Sequence, residues 1–513
     1  MSLETRQTAI ARALGALAEQ TKAVTMDEPF AGAILRTRAR FGMPADPSAL
    51  IEHWRGRSLH IDPGLRLYPW FLTYKQGVSP AAYAGPPPQW TAWRVEEQPI
   101  VAQDPVRFAS WLTLPIVLTE NYELLAETAA SAVRGEGARR AAGIIDRVEP
   151  LVRHDFASLI QASHPWIDTF GLWCLARRPR CMKRLHPIAV GIAETYAAIA
   201  AQNGGMVIDS RYPFHGRPLV SAGAHLAAAL WQTGLSLELL SALVEFVRSS
   251  IRPSGGWGDS SSGDDILTTL VAAELLASID PSFETEPTSG YFVGKQEDAG
   301  WWRALGPEVP WLTGVVTAWL QAADAPFAAR FRWPHYATAN LDHKTRLPSY
   351  GYFIELAAIF RTVPGLAAAP MEVAFIDLAA FKNLNDRFGQ ERGDEVLRAF
   401  ADELRTIAAA RAIRDGGDEF LMVGAPHRSK LADVLDELRK RWPARLRKRF
   451  PEQPPTVAPR ILVGKSTGAS LVSMRELLGR EIGRLKDRAP RPPAEGVLVE
   501  LESPPTRREA ARR

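Results

Sequence analysis

Cysteine is scarce in this chain of 513 residues, which has only Cys174 and Cys181. Two cysteines without a Cys-x-x-Cys pair exclude a disulfide framework. The nearby histidines, His164 and His186 among them, fit no standard zinc spacing. We therefore expect neither a zinc site nor a disulfide-stabilised scaffold.

Long apolar runs and a strong charge of one sign are also missing. No stretch of about 18 apolar residues occurs, so nothing is expected to span a membrane. The first 20 residues, MSLETRQTAIARALGALAEQ, contain no signal-peptide core followed by a cleavage site. The 61 Lys and Arg residues against 57 Asp and Glu give a net charge of +4, which does not by itself indicate a nucleic-acid partner. The sequence therefore predicts a cytoplasmic protein that does not bind nucleic acid.

The first part of the chain is rich in alanine, leucine and tryptophan. Its apolar residues recur at helical spacing, as in Leu226, Ala229 and Leu230. Strand signals are scarce there. We predict an all-α region over residues 1–335.

Three segments of this region share one pattern: a Gly pair or Gly-Trp turn, a polar loop, and an apolar helix. They cover residues 204–231, 255–276 and 299–320. The period of roughly 45–50 residues suits a unit of two helices that must stack on its neighbours. This favours a helical repeat, and a set of unrelated helical hairpins remains an alternative.

The motif Gln296-Glu-Asp-Ala-Gly300-Trp-Trp302 fits the pattern Q-x-x-x-G-x-W, and Gly255-Gly-Trp257 keeps its second half. It resembles the QW motif of the terpene cyclase and prenyltransferase superfamily, over residues 165–323. The resemblance implies an α/α toroid in which the Gln bonds backbone groups and the Trp packs on the next turn. It also implies an apolar cavity that could bind a hydrophobic or isoprenoid ligand.

The pattern changes near residues 333–342. Strand-like runs such as MEVAFIDL then alternate with helical segments, which indicates an α/β domain. We expect this domain to cover residues 342–500. The segment 501–513, which contains SPPTRREAARR, is expected to be a disordered tail.

Four ordered motifs in the second domain resemble the GGDEF family of diguanylate cyclases. They are Asp342-His-Lys-Thr-Arg-Leu-Pro348, Phe375-Ile-Asp-Leu-Ala-Ala-Phe-Lys-Asn-Leu-Asn-Asp386, Phe388-Gly-Gln-Glu-Arg-Gly-Asp-Glu-Val-Leu397 and Gly416-Gly-Asp-Glu-Phe420. The family counterpart of the first is D-x-L-T-G-L-P-N-R. The resemblance implies a palm-like nucleotide-cyclase fold and synthesis of cyclic di-GMP from GTP.

Joining two nucleotides needs in-line attack of a 3′-hydroxyl on an α-phosphate, with divalent metal to balance the developing charge. Magnesium prefers hard oxygen ligands, and manganese is the alternative ion. The resemblance implies that Asp377, Asp418 and the Leu378 carbonyl bind the metal. It implies Glu419 as the further acidic partner, which coordinates a metal or activates the 3′-hydroxyl. Asp377, Asp418 and Glu419 are therefore the predicted catalytic residues.

Base selection follows from donors and acceptors. Ionised Asp394 only accepts hydrogen bonds, which suits the N1–H and N2–H₂ donors of guanine, and Asn385 can both donate and accept. The pair therefore favours GTP over ATP.

The remaining predicted GTP contacts surround the triphosphate. Gly416 and Gly417 let the turn approach the nucleotide without a Cβ clash. Lys382, the amides near Phe381, and Lys486 at the family's late lysine position are expected to face the phosphates.

One domain holds one GTP, so activity is expected to require a homodimer, and the helical region is the simplest sensor or dimerisation module. The chain departs from the family at Ala379, Gln390 and Asp415, in the strand expected near residues 460–468 and in the helix at 477–486. The inhibitory R-x-x-D site is replaced by IAAA at residues 407–410. We therefore predict no product inhibition at that site, and turnover measured with added cyclic di-GMP checks this.

Two other functions compete with the cyclase. A degenerate GGDEF domain can bind GTP and act as a regulator. The helical region could instead cyclise a polyprenyl substrate with Asp264 as the acid of a D-x-D-D motif. The matching stretch, Ser262-Gly-Asp-Asp265, lacks the first Asp. A structural explanation, in which Asp264 and Asp265 cap the following helix, is the favoured one.

Overall fold

A computed structural model describes residues 3–19, 179–209, 216–233, 237–259, 263–302, 310–334, 341–407, 410–426, 430–488 and 495–501, with a few single residues besides. Ser262 of the incomplete D-x-D-D motif, residues 408–409 and the predicted tail beyond 501 lie outside these ranges. The chain forms two compact units, one of residues 1–277 and 283–325 and the other of residues 278–282 and 326–513. None of the described helices is long and apolar enough to cross a membrane.

The first unit is helical. Its helices are α1 (Leu3–Glu19), α2 (Pro179–Gln202), α3 (Val220–Thr233), α4 (Leu237–Ser249), α5 (Ile266–Ile279), α6 (Glu286–Gly294) and α7 (Pro310–Ala323). Two short antiparallel strands, β1 (Ile208–Asp209) and β2 (Arg217–Pro218), are a local exception to the predicted all-α structure. The helical character predicted from the apolar spacing is confirmed.

Two of the predicted repeat segments form the same local structure around a buried tryptophan. The indole Nε1 of Trp257 donates to the Val247 carbonyl at 2.6 Å, and that of Trp302 donates to the Phe292 carbonyl at 2.6 Å. Each acceptor lies ten residues before its tryptophan. The backbone N–H of each tryptophan donates to a threonine of the following helix, Thr269 or Thr313.

A glycine with positive φ occupies the same place in all three segments, at Gly205, Gly255 and Gly300. An added Cβ at Gly205 would lie 2.9 Å from Ala242 Cβ of α4. At Gly255 it would lie 2.3 Å from the Pro287 oxygen of α6, and at Gly300 it would lie 2.5 Å from the Arg12 oxygen of α1. Helix α1 therefore contacts the third segment as α4 and α6 contact the first two. These contacts favour a repeat array, and the toroid stays a prediction because residues 20–164 lie outside the described ranges.

The Gln of the Q-x-x-x-G-x-W motif bonds backbone groups, as the resemblance implied. Its Nε2 donates to the Ala9 oxygen at 2.8 Å and to the Gly300 oxygen at 3.1 Å. Its Oε1 accepts a bond from Arg12 Nη2 at 2.8 Å. Gln296 thus connects the third segment to α1.

The acidic pair before α5 has a structural role. Asp265 Oδ1 accepts the backbone N–H of Thr268 at 2.8 Å, which is an N-cap bond. Asp264 does not cap the helix, since its carboxylate accepts a hydrogen bond from the Ser254 hydroxyl. The capping prediction is therefore confirmed for Asp265 and wrong for Asp264.

The second unit is an α/β domain. Its helices are α8 (Phe327–Arg330), α9 (Tyr350–Thr362), α10 (Pro364–Ala367), α11 (Phe381–Phe388), α12 (Gln390–Arg405), α13 (Leu431–Arg449) and α14 (Leu471–Arg488). Its strands are β3 (Pro370–Ala379), β4 (Ala410–Gly416), β5 (Glu419–Gly424), β6 (Ala458–Thr467) and β7 (Val497–Leu501). They form one sheet in the order β4-β5-β3-β6-β7, antiparallel except for the β6–β7 pair.

The central strand β3 is covered on both faces, which explains its nearly continuous apolar sequence. Ala374, Ile376 and Leu378 belong to one buried cluster with residues of α12 and α13. Residues at odd positions point to the opposite face. There the Phe375 ring packs near Gly479 of α14, 3.8 Å from the position of an added Cβ. Asp377 therefore lies on the α14 face of the sheet.

Strand β6 forms where the sequence departs from the family pattern. It pairs with β3 over ten residues, and Arg460 lies directly opposite Asp377. An added Cβ at Gly464 would lie 2.6 Å from the Met474 sulfur. Glycine at this position lets α14 pack closely on the strand.

Candidate active site

The Gly-Gly-Asp-Glu-Phe motif forms the turn between β4 and β5. The pairing shifts register between Arg414 and Gly416, and Gly417 has a φ of +46°. An added Cβ at Gly416 or Gly417 would meet no protein atom within 4 Å. The space where these two Cβ atoms would lie is therefore open, and no contact with the described part of the chain requires glycine at either position.

The sheet brings the three predicted catalytic acids together. Asp377 of β3 and Glu419 of β5 are directly paired across the two strands. The Leu378 amide donates to the Asp418 carbonyl at 3.2 Å, which fixes the turn against the end of β3. Asp377 is almost fully buried, at 2% exposure. The catalytic roles that the resemblance implied for the three acids stay predictions.

Two basic side chains bind the carboxylate of Asp377. Lys486 Nζ lies 2.8 Å from Asp377 Oδ1 and 3.1 Å from Glu419 Oε1. Arg460 Nη1 lies 2.8 Å from Asp377 Oδ2. Each oxygen of the buried carboxylate is therefore paired with a positive charge.

The electrostatics of the acidic cluster shift two pKa values. Burial raises the pKa of Asp418 above its ordinary range, and the neighbouring charge of Asp377 raises it further. Burial disfavours the charge of Lys486, but its bonds to Asp377 and Glu419 outweigh that effect and raise the pKa of the ammonium group. The fold thus favours the protonated form of Asp418 and the charged form of Lys486.

The donor set is chemically suited to a divalent cation. One oxygen of Asp377 and one oxygen of Glu419 both contact the Lys486 ammonium, so they converge on a single position. Carboxylate oxygens are the hard ligands that Mg²⁺ prefers. In the described part of the chain, no group of three or more His, Cys, Asp and Glu side chains is arranged to hold a metal ion. A metal would therefore need the Leu378 carbonyl or Asp418 to complete its ligands, and would have to displace Lys486.

The predicted guanine residues lie at the junction of α11 and α12. Asn385 Oδ1 is buried and makes no hydrogen bond. An added Cβ at Gly393 would lie 1.9 Å from that oxygen, so only glycine leaves it room. Asp394 is the fifth residue of α12, and its Oδ1 accepts a hydrogen bond from Lys344 Nζ at 2.8 Å.

Lys344 lies on a tight turn of residues 341–348. Asp342 Oδ1 accepts the Thr345 amide at 2.7 Å and the Thr345 hydroxyl at 2.6 Å. Burial would raise the pKa of Asp342, but these bonds outweigh it and lower the pKa. The guanidinium of Arg405 donates to the Thr345 carbonyl. The turn is therefore fixed to α12.

The residues expected at the phosphates lie where α11 begins. The Phe381 ring is buried at 9% exposure, so Phe381 can offer a ligand only its backbone. Lys382 is exposed on the first turn of the helix. Ala380, just before the helix, has a φ of +65°. The first amides of α11 lack helical partners, as at every helix N-terminus.

Arg414 and Arg460 are site residues that the sequence argument missed. Arg414 is buried at 6% exposure, lies 4.5 Å from the Phe420 ring centroid, and has an Nη1 atom without a hydrogen bond. Burial lowers its pKa, and the charges of Asp342 and Asp418 oppose that shift. A basic residue inside an apolar strand run was the available signal for both arginines.

The extra negative charge expected at Asp415 is neutralised. Arg475 Nε lies 3.1 Å from Asp415 Oδ1, and Nη2 bonds the other oxygen. This hydrogen-bonded pairing raises the pKa of Arg475. Asp415 therefore anchors α14 to β4 and adds no net charge to the signature turn.

Residues 339–478 match the family described as "Diguanylate cyclase, GGDEF domain". A curated relative, the response regulator PleD of Caulobacter vibrioides, is 36% identical over 120 residues, which are 21% of this chain and 25% of PleD. The diguanylate cyclase DgcP of Escherichia coli is 36% identical over 114 residues, 22% of this chain and 32% of DgcP. The chain thus matches a third or less of the length of either relative.

Among solved structures, the coiled coil and GGDEF domain of DgcB from Caulobacter crescentus, in complex with c-di-GMP, is 23% identical. The likeness covers 31% of this chain and 86% of that chain, with a TM-score of 0.26. The family match begins at residue 339 and does not extend into the helical unit.

Proposed function

Because residues 339–478 form a GGDEF domain of the diguanylate cyclase family, we propose that the protein condenses two molecules of GTP into cyclic di-GMP. The observation that carries the proposal is the pairing of Asp377 with Glu419 around one cation position, beside the open signature turn. Magnesium or manganese bound there, by Asp377, Asp418, Glu419 and the Leu378 carbonyl, would neutralise charge on the reacting phosphates.

Base binding is assigned to Asp394 and Asn385. The Asp394 carboxylate accepts hydrogen bonds from guanine N1–H and N2–H₂, and Asn385 donates to or accepts from the same base. ATP offers an acceptor at N1, so it presents no N1–H donor to the carboxylate and is the poorer substrate.

Phosphate binding is assigned to the beginning of α11 and to Lys486. The first amides of α11 and the exposed Lys382 favour an anion at that end of the helix. With a cation bound to the acids, the ammonium of Lys486 would be available to bind a phosphate oxygen. Glu419 is the group placed to hold or accept the proton of the attacking 3′-hydroxyl.

The proposed assembly is a homodimer, because one domain binds one GTP and the product joins two. The helical unit is proposed as the sensor or dimerisation module that controls how two cyclase domains face each other. Equal turnover by the full chain and by a fragment of residues 339–513, with both proteins monomeric in solution, would argue against this regulation.

The direct test incubates the full chain with GTP and Mg²⁺ and identifies the product by mass. Glu419→Ala is expected to lower turnover by about 10²-fold or more, since it removes a group that acts in the transition state. Glu437→Ala, an exposed glutamate on α13, is the matched control and is expected to leave turnover unchanged. ATP in parallel tests the base assignment, and a linear or mixed dinucleotide would revise the proposal.

A second function, a regulator that binds GTP without turning it over, is favoured by Arg460. This buried guanidinium is paired with one oxygen of Asp377, which leaves a single Asp377 oxygen for a metal. The two functions separate in one experiment: a regulator binds GTP with a measurable Kd but yields no dinucleotide with Mg²⁺ or Mn²⁺.

The third function, cyclisation of a polyprenyl chain, receives no such support. Asp264, its required acid, is bonded to Ser254, and Asp265 caps α5. A hydrophobic or isoprenoid ligand bound to the helical unit is the proposed input signal, and incubation with squalene or geranylgeranyl diphosphate tests both binding and cyclisation.

A further inference from the structure

Lys344 places a positive charge on the carboxylate assigned to guanine. Its Nζ lies 2.8 Å from Asp394 Oδ1, and the two side chains are 39% and 31% exposed. In the family motif D-x-L-T-G-L-P this position is leucine, which cannot form an ion pair. The contact is therefore a property of this chain's own sequence.

The turn that carries Lys344 is fixed on both sides. Thr345 bonds Asp342, and Arg405 of α12 donates to the Thr345 carbonyl. At the other end the Pro348 carbonyl accepts the Arg414 amide at 2.7 Å. The Lys344 backbone is thus held by α12, which carries Asp394, and by β4, so its ammonium stays within reach of Asp394.

The Watson–Crick edge of guanine has one group that Asp394 cannot satisfy. The carboxylate accepts from N1–H and N2–H₂, while the adjacent O6 is an acceptor and needs a donor. An ammonium group has three N–H donors and no acceptor. One of them can remain on Asp394 Oδ1 while a second donates to O6, because O6 and N1 are neighbours on the base. Adenine carries an amino donor at the place of O6, which the ammonium would repel.

We propose that Lys344 is a specificity-determining residue that donates a hydrogen bond to guanine O6 while it stays paired with Asp394. The inference rests on the proposed binding of GTP. It assigns guanine O6 to Lys344, which stands where the family motif has leucine. The opposing possibility is that the Lys344–Asp394 pair blocks the carboxylate and has to break before the base binds.

The experiment measures the Kd of GTP and of 6-thioguanosine triphosphate on the full chain by calorimetry with Mg²⁺, both as 3′-deoxy nucleotides, which lack the attacking hydroxyl and are therefore not turned over. The thio analogue keeps N1–H and N2–H₂ but replaces O6 by a weaker acceptor. The variants are Lys344→Met, which keeps the chain length without the charge, and Lys440→Met, a matched control whose lysine pairs with Asp436 on α13. Thermal melts confirm that each variant is folded.

We expect Lys344→Met to weaken GTP binding about tenfold, the usual loss for a hydrogen bond from a charged donor, and Lys440→Met to leave it unchanged. The wild-type preference for GTP over the thio analogue, expected to be about fivefold, should fall below about twofold in Lys344→Met. Unchanged or tighter GTP binding by Lys344→Met overturns the inference, and so does an unchanged preference. Wild-type protein that binds no GTP at all contradicts the proposed function instead.

Discussion

Lys486 Nζ lies 2.8 Å from Oδ1 of Asp377, one of the carboxylates that the proposed metal would need. The same ammonium lies 3.1 Å from Glu419. Without a metal, the lysine pairs with both acids and so stabilises this arrangement of the site. Metal and lysine are therefore expected to compete for one position.

The first prediction concerns that competition. Lys486→Met should lower the free energy of unfolding by about 1 kcal/mol without divalent metal, because the two acids lose their shared cation at a partly exposed site. Saturating Mg²⁺ should then raise the Tm of the variant more than that of the wild type. Differential scanning fluorimetry with a Mg²⁺ titration measures both effects. An equal Mg²⁺-induced rise in both proteins would show that lysine and metal use different positions.

The second prediction concerns Arg460, whose side chain is 7% exposed against 2% for Asp377. Arg460→Met should lower the free energy of unfolding by about 3 kcal/mol, because it leaves one oxygen of a buried carboxylate unpaired. The double variant with Asp377→Asn should recover part of this loss. Urea unfolding measures the three proteins, and Arg447→Met on the exposed side of α13 serves as control. Equal stability of the single and double variants would contradict the pairing.

The third prediction concerns pH. The raised pKa of Asp418 means that the fold favours its protonated form, so its contribution to stability is present at low pH and is lost as pH rises through that pKa. Asp418→Asn should therefore be more stable than the metal-free wild type at pH 7, by an amount that shrinks as pH falls.

The matched control for this pH dependence is Asp436. Bonds from Lys440 and Arg439 lower its pKa, so Asp436→Asn should be less stable than the wild type at pH 7, and the loss should also shrink toward low pH. Chemical unfolding at several pH values measures both variants. The same sign for the two variants would refute the assignment.

The fourth prediction concerns Arg346, which has a φ of +59° where the family motif has glycine. A side chain in this left-handed conformation costs roughly 1 kcal/mol, which glycine avoids. Arg346→Gly should therefore raise the free energy of unfolding by about 0.5–1 kcal/mol, and Arg346→Ala, which keeps a Cβ, should not. Urea unfolding distinguishes them, and equal stability of the two variants would rule out backbone strain as the cause.

The ordered motifs predicted the α/β domain because they combine local turns with strand and helix periodicity. The family resemblance assigned Asp377, Asp418 and Glu419 to one site, and the pairing of β3 with β5 places Asp377 opposite Glu419. Strand β6 was harder to predict, since Arg460 and Lys465 interrupt its apolar pattern, and the pairing with β3 that stabilises it is not local.

The basic residues of the site could not be predicted from local pattern. Arg460 and Lys344 reach their carboxylates through contacts between segments distant in the sequence, and a single sequence records no such contacts. Lys486 was identified through family position alone. In the helical unit, the Gly-x-Trp motifs predicted local turns well, because each indole bonds a carbonyl only ten residues earlier in the chain.

Helix α1 has consequences for the timing of synthesis. Arg6 is buried and bonds Glu286 at 2.6 Å as well as Asp324, so its partners emerge from the ribosome some 300 residues after it. At typical translation rates of roughly 5–20 residues per second, α1 waits about 15–60 seconds with its apolar face uncovered. The nascent chain would therefore benefit from a chaperone during that interval, and the helical unit becomes complete only as the cyclase domain begins to be made.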